Sequence, residues 1–339
     1  MSAARDGGAG VRRARRARRP ALALLAAALL ALPLLAGCVG DEGAGDPWEG
    51  QRPDTLTVAT GGSTGIYHAY GVGLAEVLRE RYDVPVEVAE TGGSVENLES
   101  LEDGTAQVAF SAADAARDAV AGKGEFTEPL EVRALARVYD DFVHLVVPAN
   151  STIRQLSDLR GKLVSVGAPR SGTALIAHRV LAAADVPEDD LTAVSLGLDG
   201  SIASLAAGEI DAFFWSGGLR TPGLTTLADD VPVRLVPLGD VVEEVRSMYG
   251  SGYRHGIVPE GMYGSVRAVD TLAVPNFLMV RSDMPDAEAR TLVSTLFDAR
   301  AQIAAQVPSA ANLDRVRAIF TDPVELHPGA LRYYRETKD

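Results

Sequence analysis

Short runs of β-branched and apolar residues alternate along most of the chain with longer segments whose apolar residues recur every three or four positions. The first pattern is typical of strands and the second of helices. Strand patterns lie at 55–60, 84–90, 107–111, 132–138, 143–147, 163–166, 191–196, 209–215, 233–236 and 273–280. The longest helical patterns lie at 66–81, 174–185 and 287–307. This alternation predicts an α/β fold with largely parallel sheets.

Four of the predicted strands end in loops of Gly, Ser and Thr. These loops lie at 61–65, 92–94, 167–173 and 216–218, two in each half of the chain. In open α/β sheets, ligands bind at the carboxyl ends of strands. The sequence therefore predicts a ligand cleft between two lobes, which close by hinge motion on a small polar molecule.

The loop at 167–173, Gly-Ala-Pro-Arg-Ser-Gly-Thr, stands between a strand pattern and a helix pattern. Ser171 or Thr173 is suited to cap that helix. Free backbone N–H groups and the helix dipole favour an anion at such a position. The loop lacks the Lys of a nucleotide-binding phosphate loop, so nucleotide binding is not predicted.

The first 37 residues have the pattern of a bacterial lipoprotein signal peptide. Six Arg between 12 and 19 precede an apolar run at 21–35, which is too short for a comfortable membrane span. Cys38, the single cysteine, ends the segment Leu35–Cys38, which resembles a lipobox. We expect cleavage, lipidation of Cys38 and an anchor on the outer face of the cytoplasmic membrane. Residues 38–54, rich in Gly, Asp, Glu and Pro, are predicted to be a flexible tether.

The charge of the chain limits its partners. Removing the leader takes away seven Arg and one Asp, so the formal net charge moves from −14 to −20. Nucleic acid is not an expected partner, because phosphate binding needs clustered Lys and Arg. The sequence shows no metal-ligand spacing and no cofactor motif, and no catalytic residue is proposed. The residues after the tether suffice for two lobes, each with its own core.

Four segments, taken together and in order, resemble the TAXI solute-binding proteins of TRAP (tripartite ATP-independent periplasmic) transporters. They are TGGSTGIYHAYG, ETGGSVENLESLEDGTAQVAF, SDLRGKLVSVGAPRSGT and GEIDAFFWSGG. The resemblance implies a periplasmic-binding-protein fold of the type II kind, with two crossover segments. It places 55–146 plus 274–339 in lobe 1 and 147–273 in lobe 2. It also implies delivery of a solute to a TRAP-type permease driven by an ion gradient.

The same resemblance implies which residues line the cleft. They are Ser63, Thr64, Gly65, Tyr67, Gly93, Ser94, Asn97, Ser171, Gly172 and Thr173. Several family members carry Gln-Ser-Asp where this chain has Ala112-Ala113-Asp114 after Ser111, so a side-chain amide is missing there. Arg170 and Arg220 are unusual at their positions and are suited to pair with a carboxylate. Many members of the family bind small carboxylates or acidic amino acids, so the resemblance implies an acidic amino acid or organic acid as the solute, and the two Arg are compatible with that.

Three alternatives remain open. Gly61-Gly62-Ser63-Thr64-Gly65 matches the nucleophile elbow of serine hydrolases, with His327 near Asp322, or His255, as the base. The same binding fold also suits a receptor that serves an ABC importer or a sensor kinase. A purely structural lipoprotein would have neither ligand nor closure.

Overall fold

The computed structural model describes residues 47–338. Its strands are β1 Leu56–Ala59, β2 Val86–Ala89, β3 Val108–Ala112, β4 Val132–Pro148, β5 Leu163–Ser165, β6 Thr192–Val194, β7 Ala212–Gly217, β8 Val233–Leu235, β9 Arg254–Val258 and β10 Val269–Arg281. Its helices are α1 Ile66–Tyr82, α2 Ser94–Glu102, α3 Ala113–Ala121, α4 Gly172–Ala183, α5 Leu198–Ala206, α6 Pro222–Asp230, α7 Val242–Tyr249, α8 Asp286–Asp298, α9 Arg300–Gln306, α10 Arg315–Ala318 and α11 Pro328–Glu336. The α/β fold predicted from the sequence is confirmed, but the sheet is mixed rather than largely parallel, because the long strands β4 and β10 pair antiparallel with each of their neighbours.

The ten strands form one sheet. Eight of them follow the order β2-β1-β3-β10-β4-β7-β5-β6, β8 pairs with β4, and β9 pairs with β10. β1 runs parallel to β2 and β3 at one end, and β5 runs parallel to β6 and β7 at the other. The two parallel groups are joined by β4 and β10, which are antiparallel to each other. The helices that follow the parallel strands cover the sheet, as expected for βαβ units.

The apolar cores divide the described chain into two lobes. Two clusters lie in lobe 1, around α1, α8 and α11 and around α2 and α3. Two others lie in lobe 2, around α4 and α7 and around α5 and α6. On β4 the change of cluster falls between Tyr139 and Val143, and on β10 between Val274 and Phe277. The predicted boundary after 146 therefore falls a few residues late on β4.

Several predicted elements differ in detail from the structure. The segments 132–138 and 143–147 are one continuous strand, because Asp140 and Asp141 stay within the ladder to β10. The helix predicted at 287–307 breaks at Ala299 into α8 and α9. The polar residues Asp140 and Asp141 suggested a break between two strands. They lie instead within one strand, at the point where it crosses from one lobe to the other.

Part of the predicted tether packs against lobe 1. Trp48 is 2% exposed and meets the edge of Tyr82 with ring centroids 5.4 Å apart. The Thr291 hydroxyl donates to the Pro47 carbonyl. Residues 49–52, which follow, are exposed. The leader, Cys38 and residues 39–46 lie outside the described residues. Among residues 47–338, no helix is both long and apolar enough to span a membrane.

Candidate functional site

A cavity of about 160 Å³ lies between the two lobes. Four helices begin at its wall, α1 and α2 from lobe 1 and α4 and α5 from lobe 2. The first N–H groups of a helix have no backbone partner within the helix. The Glu96 N–H donates instead to the Arg170 carbonyl and the Ala174 N–H to the Ser171 side chain, and the N–H groups left unpaired at the cavity are donors for a ligand. The loops at the carboxyl ends of β1, β2, β5 and β6 aim these helices at one point, which is the position expected for a ligand site.

The wall from lobe 1 is built around Tyr67 and Ser94. The Tyr67 hydroxyl donates to the Asn276 amide oxygen and lies 3.2 Å from the Ser94 hydroxyl. Ser94 Oγ also accepts from the Ala112 N–H at 3.1 Å. Burial raises the pKa of the Tyr67 phenol well above its usual value, so the group is a neutral donor. Gly65 and Gly93, both predicted, line the same wall.

The wall from lobe 2 is built around the start of α4 and the end of β7. Ser171 caps α4 by accepting from the Ala174 N–H at 3.0 Å. The Thr173 hydroxyl accepts from the Ser216 N–H at 3.2 Å and so joins α4 to β7. Gly172 also lines the cavity, and the Trp215 ring covers Gly65 from across the cleft. The structure thus brings seven of the ten predicted residues to one cavity.

Ser63, Thr64 and Asn97 do not line this cavity. Asn97 is fully buried, and its amide donates to the Thr60 and Phe110 carbonyls at 2.6 and 2.8 Å. It therefore joins the ends of β1 and β3 below the loop. Thr64 donates to the Asp199 carboxylate across the cleft mouth. Ser63 is exposed beside it.

The two arginines expected to meet a carboxylate are placed elsewhere. Arg170 forms an ion pair with Glu99, which links the lobes outside the cavity. The Arg170 carbonyl accepts from the Glu96 N–H at 3.2 Å and reinforces that link. Arg220 is exposed and borders a separate cavity with Arg137 and Arg317. Both positions follow from a positive φ, 60° and 63°, which turns these residues out of the adjoining loops.

Asp141, the most unusual residue of the cavity, was not predicted from the sequence. It is 4% exposed, lies on β4 at the crossing between lobes, and accepts from the Ser216 hydroxyl at 3.3 Å. Burial raises its pKa to about 7, although Asn276 and Ser216 nearby oppose this. The double Asp at 140–141 was the available signal, since it interrupts an apolar strand pattern. Within residues 47–338, no three metal-binding side chains are grouped to hold an ion.

Behind the cavity, a buried polar cluster ties the lobes together. Arg179 on α4 donates to Asp114 at 3.2 Å and to Asp118, both on α3 of lobe 1. The Tyr253 hydroxyl of lobe 2 donates to Asp114 and accepts from Arg179 at 3.1 Å. Tyr249 lies under the guanidinium, 4.9 Å from carbon to ring centroid. We call Asp114, Asp118, Arg179 and Tyr253 the interlobe cluster.

The hydrolase alternative lacks its geometry. Ser63 makes no side-chain hydrogen bond in the part of the chain that the structure describes. His327 accepts from the Gly329 N–H as the cap of α11. His255 lies beside Glu243, 3.3 Å away. A nucleophile needs its base within hydrogen-bond reach, and neither His is placed to serve Ser63.

Gly172→Ala is expected to weaken ligand binding without unfolding the protein. A Cβ on Gly172 would lie 2.6 Å from the Ser94 hydroxyl oxygen and 3.2 Å from its Cβ, across the cleft. Overpacking of this kind costs about 1–3 kcal/mol, here against lobe closure, which is roughly a five- to hundredfold rise in Kd. Calorimetric titration measures the rise, and the melting temperature of the free variant checks its fold. An unchanged Kd would show that the lobes do not close at this contact.

The sequence matches a known protein family. The model of the NMT1-like family matches residues 58–337, which is most of the chain.

Solved structures share the fold at low sequence identity. A protein from Bordetella bronchiseptica RB50 is 18% identical with a TM-score of 0.50, over 84% of this chain and 89% of that one. The alkanesulfonate-binding protein SsuA from Xanthomonas axonopodis pv. citri, bound to MOPS, is 17% identical with a TM-score of 0.47, over 84% of each chain. A putative L-cystine ABC transporter from Listeria monocytogenes is 14% identical with a TM-score of 0.49, over 77% of this chain and 98% of that one. The likeness to the Bordetella bronchiseptica structure is one of fold alone, and the two lobes expected from the sequence are present in the described residues.

Proposed function

Since the chain belongs to the NMT1-like family, we propose that it is an extracytoplasmic solute receptor rather than an enzyme. It binds one small polar molecule in the cavity between its lobes and presents it to a membrane transporter. The observation that carries the proposal is the convergence of four helix starts and seven hydroxyl-bearing residues, from both lobes, on one cavity. These residues are Tyr67, Thr91, Ser94, Tyr139, Ser171, Thr173 and Ser216. Such a set of few polar groups among apolar walls is typical of ligand sites.

The size of the cavity limits the solute. An apolar cavity of about 150 Å³ holds benzene, so about 160 Å³ suits a solute of similar or slightly larger size. A carboxylate is compatible with this site only through backbone N–H groups at the helix starts, since Arg170 and Arg220 lie elsewhere. Catalysis is not proposed, because no nucleophile and base are paired at the cavity.

For the transporter, we propose a TRAP-type permease, on the strength of the sequence resemblance to TAXI receptors. The lipid on Cys38 would hold the receptor at the membrane surface and raise its local concentration there. Uptake of the identified solute in vesicles containing receptor and permease should follow an imposed ion gradient. Uptake that requires ATP instead would assign the receptor to an ABC importer.

A thermal-shift screen tests the receptor proposal. The purified protein is unfolded and refolded to remove any carried-over ligand, then heated with amino acids, amines, organic acids, sulfonates and sugars. A ligand that binds only the folded state raises the melting temperature by mass action. We expect a rise in melting temperature that Thr173→Ala reduces and that Ser204→Ala, away from the cavity, leaves unchanged. Absence of any rise across the panel, in a well-folded sample, would count against a receptor of small solutes.

A further inference from the structure

One buried carboxylate at the cavity lacks the partners that its neighbour has. Asp140 holds two cations, with Arg137 at 2.7 Å and Arg254 at 2.9 Å. Asp141, the next residue, holds none. Its Oδ2 accepts one hydroxyl from Ser216, and its Oδ1 has no hydrogen-bond partner among the described residues. Because β4 alternates its side chains, the two carboxylates point to opposite faces, and only Asp141 lines the cavity.

A buried carboxylate that has a hydroxyl donor but no cation is costly, and a charge-bearing donor would offset the cost. The described residues supply no such donor at this place. The cavity wall contains no Lys, Arg or His within the described chain, and its ionisable carboxylates are Asp141 and Asp199. A cation beside Asp141 would therefore have to come from the solute.

We propose that the solute carries a protonated amine and that Asp141 is its counter-ion. This inference rests on the proposed receptor function and names the chemical class of its solute. The rings of Tyr67, Tyr139 and Trp215 line the same cavity, and aromatic faces attract an ammonium group. The net charge of the chain, −14, draws cations toward the protein.

The proposal also predicts which compounds the cavity does not bind. A single carboxylate on the solute can lie at the helix starts, whose free N–H groups favour an anion. A second carboxylate would meet Asp141 and repel it. Amino acids and small amines therefore fit, whereas dicarboxylates and hydroxy acids of the same size do not.

Matched pairs of compounds test the amine directly. Calorimetric titration compares L-amino acids with the 2-hydroxy acids that differ only in bearing a hydroxyl for the amine. Ethanolamine and putrescine supply the amine without a carboxylate. We expect amine-bearing compounds to bind at least about 30-fold more tightly than their hydroxy partners, the factor expected for a hydrogen bond to a charged group. Asp141→Asn should remove that preference, and the matched control Asp140→Asn should keep it.

The outcomes separate the inference from the receptor function. Hydroxy acids, dicarboxylates, sulfonates or sugars that bind as tightly as amines, with Asp141→Asn unaffected, would overturn the amine and leave the receptor standing. A preference for amines that survives in Asp141→Asn would overturn the role of Asp141. If no compound of the panel binds a folded protein, both the inference and the receptor function fall.

Discussion

Asp141→Asn is expected to stabilise the ligand-free protein at pH 8 by up to about 4 kcal/mol. Burial raises the pKa of Asp141 from its ordinary value of 3.8 to about 7, and each tenfold gain in proton affinity corresponds to about 1.4 kcal/mol. The folded state therefore holds this proton more tightly than the unfolded state. The contribution of the bound proton to stability is fully present below about pH 4 and is lost as the pH rises to 7. Asparagine does not titrate, so the variant avoids that loss.

Denaturant unfolding of wild type and variant at pH 4.5 and pH 8 measures this effect. The gain from Asp141→Asn should be about 4 kcal/mol at pH 8 and about 1 kcal/mol at pH 4.5. Comparing the two proteins at each pH cancels the contributions that the other carboxylates make to stability. These include Asp114 and Asp140, whose charges raise the pKa of Asp141. A saturating amine should narrow the difference at pH 8, because the wild type gains more from binding than the variant does. Equal gains at both pH values would show that Asp141 is ionised in the empty cavity at no cost.

Arg179→Ala is expected to lower the free energy of unfolding by about 3–5 kcal/mol. The side chain of Asp114 is 1% exposed and that of Asp118 is 13% exposed, so removing Arg179 leaves two buried carboxylates without their cation. Removing one partner of a buried ion pair costs about this much, because the other charge stays buried without compensation. Replacing the whole pair by apolar residues costs much less. Since the cluster spans both lobes, the same change should also favour lobe opening and weaken solute binding.

The matched control is Arg160→Ala, whose pair with Asp190 is about half exposed on both sides. Exposed pairs contribute about 0–1 kcal/mol. Both variants are unfolded in denaturant at pH 7, and the radius of gyration of the folded state reports opening. A loss below about 1 kcal/mol in Arg179→Ala would mean that water reaches the interlobe cluster. Arg179→Ala combined with Asp114→Asn should recover part of the loss, because one uncompensated charge is then removed.

Much of the fold and of the cavity wall could be predicted from local sequence signals. Gly, Ser and Thr after apolar runs marked the loops at Gly65, Gly93 and Ser171, because turn chemistry and helix capping are local properties. The same signals misplaced Asn97. Its amide suits a ligand as well as it suits two backbone carbonyls, and only the packing of β1 against β3 decides between them.

Asp141 and Arg179 could not be assigned from sequence for a different reason. Their roles depend on which lobe faces them, and their partners lie far away along the chain, as Ser216 does from Asp141 and Asp114 from Arg179. Asp141 looked like part of a break between two strands. Arg179 looked like one polar position on an amphipathic helix. A charged residue at either position indicates a role only when its burial and its neighbours in the fold are known.

The passage of β4 and β10 between the lobes also sets the order in which the cores can be completed. Lobe 2 is contiguous along the chain, so all of its core residues are present once residue 274 has been synthesised. Lobe 1 packs α1 against α8 and α9, which lie near the other end of the described chain. Long-range contacts of this kind form slowly, since a long loop must close first. Lobe 1 thus remains incomplete until the last helices leave the ribosome, and its apolar surface on α1 is exposed for longer than any in lobe 2.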